Sequence, residues 1–90
     1  MPKREPNLNR KLAHPIKPTG GPATQLETLA DAAQLVADLE QFRQVRPYWD
    51  RCAEMLLVAA RTGRKADIAE ATRCVEVALW KENWLKSERP

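Results

Sequence analysis

Two cysteines and one histidine are the residues whose types could support nucleophilic or metal chemistry, and their spacing argues against both. Cys52 and Cys74 each stand alone inside an apolar helical pattern, so a buried small hydrophobe is the expected state of each. A disulfide between them needs an oxidising compartment, to which nothing else in the sequence points. His14 lies between Ala13 and Pro15 in a proline-rich stretch and is expected to be a solvated loop residue. A Ser–His or Cys–His couple fails on position, with Ser87 in the tail and His14 near the start. Thr19-Gly20-Gly21-Pro22 lacks the lysine that follows a phosphate-binding glycine loop and the strand that precedes it. Acidic residues fall on the wet sides of helical patterns rather than in a shielded pocket suited to general acid–base work. The expectation is no enzyme, no cofactor and no metal.

Charge offers a second kind of chemistry. Residues 1 to 22 hold five of the seven prolines and two of the three glycines, which excludes a helix through them. Lys3, Arg4, Arg10, Lys11 and Lys17 stand there against Glu5 alone, whereas residues 23 to 90 hold ten cations and eleven anions. The net charge of +3 therefore comes from an N-terminal arm. A basic arm neutralises phosphates and releases counterions, which makes these five cations candidates for an anionic partner such as nucleic acid. Leu8, Leu12 and Ile16, spaced four apart, would also let the arm dock on the body.

Three helical patterns must position anything the body does. Thr24 and Thr28 compete to cap the first, each with an acid three residues on, and Thr24 with Glu27 makes the better capping box. From there to about Phe42, Leu29, Ala32, Ala33, Val36 and Leu39 form one stripe. Arg46-Pro47 opens the second, which runs to about Thr62 and stops at Gly63. Its apolar arc is wide enough to touch both neighbours, so it is expected at the centre. The third runs from about Ala66 or Asp67 to between Lys81 and Asn83, with Ile68, Ala71, Val75, Ala78 and Leu79 facing inward.

Opposite that inward stripe, at 100° per residue, stand Arg73, Val77, Trp80 and Trp84. Tryptophan and arginine are over-represented among the anchors of protein interfaces, so these four are the candidates for partner binding. Two structural explanations compete. The helix stops before Trp84 and the ring folds back after a C-terminal cap, or the arm covers Trp80. The third helix lacks a basic recognition face, its Lys65, Arg73 and Lys81 alternating with Asp67, Glu70, Glu76 and Glu82.

Pro15-Ile16, Thr19-Gly20-Gly21, Thr28, Asp31-Ala32-Ala33, Tyr48, Cys52, Gly63, Ala71 and Trp84-Leu85 follow one another in a spacing that resembles a family of short alphaproteobacterial domains of unknown function. The resemblance implies that Pro15-Ile16 opens a strand and that the glycine turn leads to a second. It also implies that Thr28 caps the first helix. It carries no activity with it. Pro18 and Pro22 keep any such hairpin short, because proline cannot donate to a ladder.

Ninety residues with 43% apolar and 30% charged content make one small globular domain of modest stability. No apolar run approaches the length of a membrane span or a secretory signal, so a cytoplasmic protein is expected. The fold expected is mostly α: a three-helix bundle over residues 23–90 with an extended arm over 1–22, or alternatively a short N-terminal β-hairpin before three helices. The function expected is a non-enzymatic protein–protein interaction module (an adaptor, a regulatory subunit or one half of a homodimer), with a nucleic-acid-associated regulator as the alternative.

Overall fold

The computed structural model describes residues 7–85. The elements run β1 Lys11–Ile16, β2 Leu26–Thr28, α1 Leu29–Ala37, α2 Gln41–Gln44, α3 Pro47–Thr62 and α4 Lys65–Lys81. The protein is mostly helical, with four helices and a two-stranded antiparallel sheet in the described residues. No helix there is long and apolar enough to cross a membrane.

Four helices stand where three were expected, and the reason lies at the end of α1. The chain leaves the helix at Asp38, and the side-chain amide of Gln44 donates to the carbonyls of Val36, Ala37 and Leu39 at 3.1, 3.3 and 3.1 Å. Carbonyls orphaned at a helix end need such partners. Leu39 thereby becomes buried, and α2 restarts after Glu40. The start of α1 also differs from the Thr24 expectation. Thr28 is the cap: its hydroxyl accepts from Asp31 N–H at 3.1 Å, and the Asp31 carboxylate accepts from Thr28 N–H at 3.1 Å. Thr24 cannot cap because Leu26–Thr28 is already committed to β2.

α3 begins at Pro47 and ends at Gly63, whose φ of 66° is the left-handed conformation that a glycine adopts without a Cβ penalty. It touches α1, α2 and α4, as its broad apolar arc requires. Trp49, Cys52, Leu56, Ala59 and Ala60 are its buried positions. Ala71, Val75, Ala78 and Leu79 of α4 meet them, and Leu29, Ala32 and Leu35 of α1 close the core.

β1 lies within the segment expected to be an arm, pairing with β2 through Lys11 opposite Thr28 and Ile16 opposite Leu26, with a bulge between. Leu12 and Ile16 are buried with three exposed residues between them, at 6% and 2% exposed, each contributing about 2 kcal/mol by burial. The bulge frees the Ala13 N–H from the ladder, and it donates instead to the buried Thr72 hydroxyl on α4 at 3.0 Å. Thr72 in turn donates to the Ile68 carbonyl at 2.8 Å, so this buried hydroxyl is satisfied twice. Further contacts knit this segment in: Asn7 N–H donates to the Ala60 carbonyl, Leu29 and Ala30 N–H to the Arg10 and Leu8 carbonyls, and Thr19 N–H to the Trp84 carbonyl.

Candidate protein-interaction face

α4 is capped by a Schellman turn. Trp84 N–H donates to the Leu79 carbonyl at 2.8 Å and Asn83 N–H to the Trp80 carbonyl at 3.0 Å, while Asn83 adopts a φ of 65°. This turn divides the four residues expected to bind a partner. Had the helix continued, Trp84 would lie on the same line as Arg73, Val77 and Trp80. Instead the reversal at Asn83 swings the ring inward, where it packs against the core.

Trp84 is thereby partly buried against the core, apart from the other three candidates. Its ring lies 6.3 Å from Trp49, with the Arg43 guanidinium 4.9 Å above it. The Gly20–Gly21 turn lies against the same ring: a Cβ on Gly21 would stand 2.7 Å from Cε3, and Gly21 has a φ of 83°. Glycine is required there on both counts.

Arg73, Val77 and Trp80 remain together on the outer face of α4, all exposed, with Trp80 58% open to solvent. Among the described residues the arm does not cover Trp80; its Leu12 and Ile16 reach the core between the sheet and α4 instead. Beside this face, α3 and α4 diverge into a groove of about 260 Å³ lined by Tyr48, Arg51, Glu70, Arg73, Val77 and Lys81, with Cys74 also on its wall. The Lys81 ammonium stands 5.4 Å from the Tyr48 ring, a cation–π arrangement that fixes one end of the groove.

The residues most able to do chemistry are engaged in holding the fold. Cys52 is fully buried, its thiol donates to the Cys74 carbonyl at 3.0 Å, and burial pushes its pKa up to about 12. The two cysteines are free thiols. His14 is on β1 rather than in a loop, exposed, and paired through Nε2 with Glu76 of α4 at 2.8 Å. No group of three His, Cys, Asp or Glu side chains converges on a metal-sized site among the described residues.

Glu82 departs most from its expected place on a wet face. Its side chain is 3% exposed, just beyond α4, and accepts hydrogen bonds from Trp49 Nε1 at 2.9 Å, from the Tyr48 hydroxyl at 3.0 Å and from Arg43, with Arg46 Nη1 at 3.6 Å. Burial works against its charge, but the Trp49 and Tyr48 hydrogen bonds and the fields of Arg46 and Arg43 together hold the carboxyl below its usual range. The Tyr48 hydroxyl also bonds the Arg46 guanidinium at 2.9 Å, which, with the Glu82 charge, outweighs partial burial and raises the arginine's pKa. The sequence carries a signal for this cluster only in retrospect: an acid on the last turn, with arginines and aromatics near the start of the preceding helix.

Of the cations expected to meet an anionic partner, Arg10, Lys11 and Lys17 are exposed on and around β1, while Lys3 and Arg4 lie outside the described residues. Lys11 is on β1 and Lys17 follows its end. The Arg10 side chain reaches across the end of α3, over Gly63. Compared with models of known families, with characterised proteins and with solved structures, the chain finds no match.

Proposed function

We propose that this protein is a small non-enzymatic interaction module that docks a protein partner on the outer face of α4 through Arg73, Val77 and Trp80. The observation that carries the reading is Trp80: a large aromatic left 58% exposed, on a seventeen-residue helix held rigidly by the core beneath it. Burying such a ring in a partner's pocket removes a large apolar area from water at little conformational cost, which is how tryptophan becomes an anchor. The structural use of Cys52, Thr72, His14 and Glu82 supports the non-enzymatic part, because each bonds a neighbouring element of the fold. A cytoplasmic setting accords with the two free thiols.

The test is Trp80→Glu. The variant is expected to keep the far-UV spectrum and stability of the parent to within about 0.5 kcal/mol, as exposed positions do. It is also expected to lose the complex that the parent forms, whether with another protein in an extract of the source cells or with itself by solution mass. Unfolding of the variant, or retention of every complex, sinks the reading. The second reading, nucleic-acid binding, rests on the exposure of Arg10, Lys11 and Lys17. Its mark would be duplex binding that weakens steeply with salt and is lost on replacing those three by glutamine.

A further inference from the structure

We infer that the partner segment docking on α4 is acidic: an amphipathic helix whose apolar stripe covers Val77 and Trp80 and whose carboxylates enter the neighbouring α3–α4 groove. This rests on the interaction-module reading above and adds the chemistry of the occupant. Charge complementarity carries it. The groove presents Arg51 from α3 with Arg73 and Lys81 from α4, against Glu70 as the single acid on its wall. None of the ion pairs among the described residues uses Arg51, Arg73 or Lys81, and both arginines are exposed. In Arg43 and Arg46 the same fold shows what arginines do when an acid is in reach, since both face Glu82. Among the described residues the groove's arginines have no such ion pair.

Geometry then selects a helix. Arg73, Val77 and Trp80 follow the i, i+4, i+7 line of α4, so the exposed apolar side chains and the groove cations run parallel along one axis. A second helix laid along that axis meets both with a single face, its apolar stripe on Val77 and Trp80 and its acids toward Arg51, Arg73 and Lys81. Phosphate backbones match less well. Glu70 stands in the groove wall, and the adjoining surface is aliphatic and aromatic rather than basic.

The probe is a synthetic, end-capped amphipathic helical peptide with glutamates flanking a leucine stripe, titrated into the full-length ¹⁵N-labelled chain. Its counterparts carry glutamine or lysine in place of glutamate. The acidic peptide is expected to shift the amides of Arg51, Arg73 and Val77 and the Trp80 indole N–H. The glutamine peptide should bind about tenfold or more weakly, and rising salt should weaken only the acidic one. The double charge reversal of Arg51→Glu with Arg73→Glu should transfer the preference to the lysine peptide. Equal binding of acidic and glutamine peptides, with both lost in Trp80→Glu, overturns the acidic partner while leaving the interface. Absence of shifts at this face, or shifts unaffected by Trp80→Glu, overturns both. A short DNA duplex that perturbs Arg51, Arg73 and Lys81 more strongly than the peptide assigns the groove to nucleic acid and also overturns the proposal.

Discussion

Glu82 gathers Trp49, Tyr48, Arg43 and Arg46 around one carboxylate, so its removal leaves the buried Trp49 indole N–H without its acceptor and takes one bond from each of the half-buried others. Glu82→Ala is expected to cost about 2 kcal/mol in urea denaturation, the usual consequence of orphaning a buried donor and losing charge-assisted hydrogen bonds. Its pH behaviour follows from the sign of the shift. A carboxyl held below its usual range contributes stability above that range and loses it as pH falls through and below about 4. Glu82→Gln should flatten that acid limb. Cys52 works in the opposite sense. A thiol raised to about 12 contributes fully below the unfolded thiol's ordinary value near 9 and loses the contribution as pH climbs between the two, at about 1.4 kcal/mol per unit. At neutral pH a thiol reagent should therefore modify Cys74 first and reach Cys52 only on unfolding. Burial of Cys52 is legible from its apolar helical neighbours. Burial of Glu82 is not, because it depends on where the end of α4 meets the start of α3.

Element ends show how far local chemistry decides structure. Pro47 at the start of α3 and Gly63 at its end act through φ alone, which is why the sequence places both. Gly63→Ala should cost about 1 kcal/mol, because the left-handed φ of 66° is retained while a Cβ must displace the Arg10 guanidinium. The Thr28 cap was ambiguous against Thr24 because both obey the same local rule. The strand pairing of Leu26–Thr28 decides between them, and that pairing needs β1. Thr28→Ala should cost about 1 kcal/mol by loss of the capping box. The end of α1 was hidden for a related reason. The apolar stripe continues through Val36 and Leu39, and only the Gln44 amide, six residues beyond Asp38, reveals the break. Thermal melts of these variants check each value, and an unchanged Thr28→Ala would mean that the cap contributes nothing. The fate of Trp84 belongs to this scale too, since the Schellman turn at Asn83, expected as a stop, removes it from the outer face of α4.

On the scale of the whole molecule, the division of the chain by composition and its division by packing do not coincide. The proline and charge content of residues 1 to 22 suggests a solvated appendage, yet Leu12 and Ile16 belong to the core and Ala13 is tied to α4. Composition averages over residues, whereas burial needs only two inward side chains and a donor in register. A chain beginning at Ala23 is therefore expected to lose cooperative unfolding, with a broad melt and exposed apolar surface, where the intact chain melts sharply. Charge on the segment is better tested by point substitutions at Arg10, Lys11 and Lys17, which leave β1 in place. The bond from Ala13 to Thr72 spans 59 positions of sequence. During synthesis β1 leaves the ribosome long before α4 exists, so the nascent chain carries Leu12 and Ile16 as an unshielded, strand-forming stretch until nearly the last helix emerges. The native fold closes late, and in that interval β1 is a place for a chaperone, or for the wrong strand of a neighbouring chain, to pair.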